Sequence, residues 1–320
     1  MRRSQYIVIL KSLPLSKPNF YIRMLKKRNK YITLNLVILT VLGVLIDFFG
    51  SNLLSQERKN VDAQGGIQVR TNQWLKVEKM EGNVTYRNFY NYANRRAKVG
   101  DLLQVVSDEI STGENGSAVL SIDSGVGSIY VTENTTIKIR SFQIASDNGR
   151  ITNLFVPRGK ARLQIRKFTN RGSQLNIQTP SGISGVRGTQ YIVGAQPNGN
   201  MVITTLEGSV TSTAQNRVEI INGGFQNLTV LGQPPSPAVP ISNDISLRYS
   251  IIKKVSGNAR SILLVGYTSL FNTVKVDGKE QFLDRSGKFS TQLPATSNLK
   301  VNVTVETSQG KEQAYEIPIL

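Results

Sequence analysis

ISTGENGSAVLSIDSGVGSIYV, residues 110–131, alternates short runs of apolar and β-branched side chains with turns that contain glycine. Runs of this length, bounded by Gly, Asn and Asp, read as half-buried β-strands rather than helix. The same texture extends outward on both sides, from Trp74 to Leu231. Met201-Val-Ile-Thr-Thr is a further example, and glycines recur at turn positions such as Gly100, Gly149, Gly159, Gly172, Gly199 and Gly208. No stretch there sustains a 3.6-residue apolar repeat with caps, so the segment is predicted to be all-β.

From Pro157 to Phe168 the even positions are Arg158, Lys160, Arg162, Gln164, Arg166 and Phe168, and the odd ones include Gly159, Ala161, Leu163 and Ile165. Alternation with period two gives one strand with an apolar inner face and a basic outer one. Lys167 and Arg171 follow closely. Between Asp147 and Glu207 lie 59 residues with eight Arg or Lys and no Asp or Glu. Such a face is expected to attract polyanions in a salt-dependent way, although a charged outer face also guards a strand against stray pairing. Its candidate contacts are Arg158, Lys160, Arg162, Arg166, Lys167 and Arg171.

Met80-Glu-Gly-Asn-Val-Thr85 returns as Leu206-Glu-Gly-Ser-Val-Thr211, with Pro157-Arg-Gly-Lys-Ala161 as a looser copy. The spacing is too uneven for a solenoid period, and equivalent turns are expected to be the cause. Residues 232–245 hold four prolines and read as a stiff spacer. Beyond them, 246–320 alternates again, with turns at Asp277-Gly278, Ser286-Gly287 and Gln309-Gly310, as in a small β-sandwich.

The net charge of +18 is uneven: residues 1–30 hold nine bases and no acid. Tyr31 to Gly50 is apolar apart from Asp47 and long enough, at about 30 Å as a helix, to cross a bilayer. With Lys26, Lys27, Arg28 and Lys30 before it, the positive-inside rule predicts a single inner-membrane span (31–50), a cytoplasmic tail (1–30), a tether (51–72) and an extracytoplasmic, periplasmic body (73–231 and 246–320). Two alternatives remain: translation starting at Met24, and a cleaved signal peptide that releases a secreted protein.

The chain has no cysteine and no histidine, which removes disulfides, the usual zinc, copper and haem ligands and the His-dependent triads. No metal, cofactor or catalytic residue is predicted. Asp108-Glu109 is the one adjacent carboxylate pair, and neighbours in a strand point to opposite faces. Nucleic acid is not an expected partner, since aromatics make up 7% and no recognition motif appears. Oligomeric state is left open by the sequence.

Several segments, in order, resemble the FecR family, named for the iron-dicitrate transport regulator. They are Glu81-Gly-Asn-Val84, Val99-Gly-Asp-Leu-Leu103, Ile110 to Leu120, Asp123 to Val131, Arg158-Gly-Lys160 and Thr179-Pro180-Ser-Gly-Ile-Ser-Gly185-Val186-Arg187-Gly188-Thr189. The last is the most specific. Gly185 to Thr189 reads either as a binding loop, with Arg187 offering a fork to a carboxylate or phosphate, or as a structural crossing in which Arg187 pairs internally. The tail from about 246 more weakly resembles bacterial immunoglobulin-like domains. In the founding regulators a cytoplasmic helical domain binds a sigma factor, but residues 1–30 are too few and too basic for one. The resemblance therefore implies a non-enzymatic envelope protein that binds or scaffolds an envelope protein or anionic polysaccharide, with a transmembrane signal regulator as the alternative.

Overall fold

The computed structural model describes residues 73–90, 94–123, 125–256, 259–294 and 300–319. The predicted tail, membrane span and tether lie outside the described residues. Among the described residues every regular element is a strand, and no helix is long and apolar enough to cross a membrane.

Residues 73–240 build two nine-stranded sheets. One runs Val239–Pro240, Phe225–Thr229, Met201–Glu207, Gln190–Ala195, Gly159–Ile165, Gly127–Val131, Ser117–Ile122, Leu75–Glu81, Leu102–Leu103. The other runs Arg217–Asn222, Ser209–Ala214, Ile183–Val186, Gln174–Gln178, Arg150–Phe155, Thr136–Ile144, Glu109–Thr112, Val84–Arg87, Arg95–Arg96. The ladders are antiparallel, except that Gln174–Gln178 runs parallel to Arg150–Phe155. Period-two alternation does the sorting. In Ser117–Ile122, for instance, Ala118, Leu120 and Ile122 are buried while the residues between them are half-exposed. The inward residues of both sheets form one apolar cluster that includes Leu75, Leu120, Ile129, Leu154, Leu163, Ile177 and Tyr191.

The echoed hexapeptides mark corners where the chain leaves one sheet for the other. Glu81 passes to Val84 over Gly82, and Glu207 to Ser209 over Gly208, with φ of 64° and 78°. The looser copy is a third corner, from Phe155 to Gly159, where Gly159 has φ 90°. Left-handed backbone of this kind costs little only for glycine.

Residues 246–319 form a three-stranded sheet (Arg248–Ser256, Ala259–Tyr267, Lys288–Pro294) and a four-stranded one (Lys279–Glu280, Thr273–Val276, Lys300–Glu306, Glu312–Pro318). A second apolar cluster fills the space between them, with Leu264 and Phe289 from one sheet and Val274, Val303 and Val305 from the other. The turn Asp277-Gly278 has φ of 47° and 78°, the two positive angles of a tight hairpin.

The proline-rich segment, expected as a stiff spacer, is laid along a sheet edge. Val239–Pro240 pairs with Phe225–Thr229, Ser236 N donates to Leu228 O at 2.9 Å, and Leu228 N donates to Ser236 Oγ at 3.1 Å. Proline suits an edge because its missing N–H would face outward there. The C-terminal sheets also rest on the central body. Gln196 Nε2 donates to Leu270 O at 3.2 Å, Asn198 Nδ2 to Leu283 O at 3.1 Å, and Ser308 Oγ to Gln226 Oε1 at 3.3 Å.

Candidate functional site

The strand Gly159–Ile165 takes the alternation its sequence implies. Ala161 and Leu163 are fully buried, Ile165 nearly so, and Arg162 and Gln164 are exposed on the outer face. Its neighbours are Gly127–Val131 and Gln190–Ala195. The expected basic face is nonetheless interrupted. Lys160 Nζ sits 2.8 Å from Glu306 Oε1, on a strand of the C-terminal module, and is mostly covered. A cation held by a carboxylate offers little to an external anion, so Lys160 leaves the candidate set. Arg158 lies exposed just before the strand.

A second ion pair, Lys275 with Glu133, bridges the same two modules. Between the pairs lies a cleft of about 430 Å³ lined by Tyr130, Ile192, Val202 and Phe271 together with these charges. The bond from Lys275 comes first among the causes that hold the Glu133 carboxyl below its usual range, followed by the Asn115 amide. Burial alone would lower Lys275, yet its bond to Glu133 and the fields of Glu133, Glu306 and Glu312 carry it above its usual value.

The sign follows from these directions. A depressed carboxylate contributes stability that is present above its unfolded value, about 4.3, and is lost as pH falls through the lower folded value. Acidification below about pH 4 is therefore expected to lower the melting temperature of the C-terminal module relative to the central body. Because the Glu133–Lys275 pair is partly exposed, the effect is modest. Calorimetry of the full chain against pH checks this, and Glu133→Gln should flatten the dependence.

At the other end of the basic strand the chain meets the Thr179–Thr189 motif. Ile165 and Thr189 exchange backbone hydrogen bonds, both at 3.0 Å, and Phe168 N donates to Arg187 O at 3.0 Å. Gly188 makes this crossing possible: its φ is 141°, and a Cβ there would lie 2.4 Å from Lys167 Cα. The rest of the motif serves the backbone too. Thr179 N donates to Gly182 O at 2.8 Å in a turn that leaves Pro180 exposed, and Gly185 and Val186 are buried in Ile183–Val186. Thr189 Oγ1 donates to Ser209 O at 3.0 Å.

Arg187, expected on the structural reading to pair internally, is exposed and makes no side-chain hydrogen bond or ion pair among the described residues. It follows the buried Val186, and the alternation turns it outward. The crossing thus gathers Arg166, Lys167 and Arg187 with Arg171 at one end of the sheets, all exposed. A depression of about 260 Å³ lies beside Arg166, Lys167, Gly188 and Gln190.

The absence of acid is a property of the sequence window, not of the space around it. Glu207 lines the same depression, and Asp147 lies within the field of Arg187. Asp147 is held below its usual range chiefly by the amides of Gly172 and Gly149 and less by Arg187. Sequence reasoning missed these two acids at the site although they bound the window, and missed Glu306, for which no local signal exists.

Asp108 and Glu109 face opposite ways. Asp108 is buried and accepts from the amides of Phe89, Gln104 and Val105, while Glu109 is paired with Arg87 at 2.5 Å and Lys138 at 2.7 Å. Among the described residues no group of three or more Asp and Glu is placed to hold a metal ion.

No curated protein matches the chain. Two solved structures described as a "putative anti-sigma factor" from Parabacteroides distasonis are similar to it at 15% identity, over 44% of this chain and 66% of theirs. Their TM-score of 0.35 is too low to carry an argument. Residues 108–211, about a third of the chain, match the family model described as FecR protein, and this match spans the basic strand and the Thr179–Thr189 crossing.

Proposed function

We propose that the chain is a non-enzymatic binding protein of the cell envelope, anchored by residues 31–50, with its β body and immunoglobulin-like C-terminal module outside the cytoplasm. In this reading an anionic polymer or an acidic envelope protein docks on the corner formed by Arg166, Lys167, Arg171 and Arg187, with Arg162 beside it. One observation carries the reading: four exposed bases from two segments, 166–171 and 187, meet where the backbone crosses at Gly188, and none of them is in an ion pair among the described residues. Asp147 and Glu207 reduce the corner's charge without neutralising it, which favours a polymer that makes many weak contacts.

The experiment is retention of the full-length chain on immobilised polygalacturonate. Wild type is expected to be retained and eluted by salt, and the variant Arg166→Glu/Lys167→Glu/Arg171→Glu/Arg187→Glu to flow through. Equal retention of both would reject the corner. The match to the FecR family favours a second reading, a transmembrane signal regulator. That reading requires residues 1–30 to hold a cytoplasmic regulator, and a pull-down with that tail that recovers none would count against it.

A further inference from the structure

The cleft between the central body and the C-terminal module is acidic, on a chain whose net charge is +18. Lys160 and Lys275 line it against five carboxylates, those of Glu81, Glu133, Glu280, Glu306 and Glu312. Each lysine is already held by one acid, Lys160 by Glu306 and Lys275 by Glu133. Glu81 on the central body, and Glu280 and Glu312 on the C-terminal module, make no side-chain hydrogen bond or ion pair among the described residues.

The strand register shows where this surplus sits. Glu312 stands directly opposite Glu306 on the neighbouring strand, and Glu280 directly opposite Lys275. Like charges that face each other across a ladder are destabilising, and Lys160, bonded to Glu306, leaves Glu312 without a partner. Arg162 lies between Tyr130 and Ile192 on the same face of the central sheet but does not line the cleft, and counting it still leaves an excess of acid. The floor is apolar. Ile192 and Val202 are buried, and Tyr130 is 45% exposed, with no cation stacked on its ring among the described residues. Thr204 projects from the same face, opposite Ile192 and two residues along its strand from Val202. It is fully buried, and its hydroxyl has no hydrogen-bond partner among the described residues.

We infer that this cleft binds an organic amine, a protonated amino group on an aliphatic body such as a free diamine or a lysine side chain carries. Unpaired carboxylates on both walls call for positive charge. Among the described residues no three acids are placed to hold a metal ion, which favours a cation borne on a longer molecule over a bare ion. The volume of about 430 Å³ suits a small molecule. Ile192 and Val202 accept its methylene groups, and the open face of Tyr130 attracts its charge. Because both modules contribute acids, the occupant adds a link between them. The site is separate from the basic corner at the other end of the strand and does not depend on it.

The test is isothermal titration of the full-length chain with cadaverine and, separately, with Nα-acetyl-lysine methylamide. The salt is held at about 0.15 M, where a Debye length of about 8 Å screens loose attraction to distant acids. Saturable binding of at least one probe is expected, and which of them binds tells a free diamine from a peptide side chain. Glu280→Gln/Glu312→Gln removes two unpaired charges and no internal bond, and should bind about fivefold or more weakly. This variant is expected to fold, since both residues are exposed and the change relieves the repulsion opposite Glu306. Tyr130→Leu keeps the floor apolar and should weaken binding by about threefold. Saturable binding of neither probe, undiminished binding by either variant, or equal affinity for magnesium would overturn the inference. None of these outcomes bears on the basic corner, whose bases both variants leave in place.

Discussion

Gly159→Val is expected to destabilise the central body by about 3 kcal/mol or more, enough to unfold much of it at 37 °C. Two independent costs combine. Gly159 has φ 90°, which a β-branched residue tolerates poorly, and a Cβ there would lie 2.2 Å from Thr135 Oγ1 and 2.5 Å from Thr135 Cα. Thr135 cannot yield, because its hydroxyl accepts from Lys160 N at 2.9 Å and its amide donates to Thr112 Oγ1 at 3.0 Å. The change therefore strains the corner between the sheets and the start of the basic strand together. Urea unfolding followed by circular dichroism reads the effect, and a midpoint within error of wild type would mean that the corner is wrongly described.

Leu163→Ala should cost about 3 kcal/mol, while its neighbour Arg162→Ala should cost less than about 0.5 kcal/mol. Leu163 is fully buried between the sheets, where it belongs to the same cluster as Ile129 and Tyr191, so its truncation leaves a cavity in a two-sheet core that cannot easily close. Arg162 projects from the opposite face into solvent. The contrast between adjacent residues tests the inside-outside assignment of the strand more sharply than either loss alone. Similar costs at both positions would indicate that the strand is covered on both faces.

The strands and the corners could be read from sequence because their causes are local. Alternation in Ser117–Ile122 and Gly159–Ile165 needs only a water-facing side and a core-facing side, and the repeated Glu-Gly-x-Val marks places where the backbone must turn left-handed. What was hidden depends on contacts between distant residues. Lys160 and Glu306 are 146 positions apart, and nothing near either one announces the pair. The prolines of 232–245 read as a stiff spacer, but which sheet edge they lie along is set by Phe225–Thr229, outside their own stretch.

Of the two readings of Gly185–Thr189, the one that pairs Arg187 internally rests on chemistry alone, whereas Arg187 follows the buried Val186 and lies exposed. The acid-free window failed as a guide for a similar reason: its two bounding acids, Asp147 and Glu207, return to the corner in space.

The most direct test of the basic corner is the dissociation constant for polygalacturonate measured by titration across ionic strength. A docking site of exposed, unpaired bases predicts that affinity falls by about tenfold or more between 50 and 200 mM salt, as the Debye length shrinks below about 10 Å. An affinity that stays flat over that range would contradict the account.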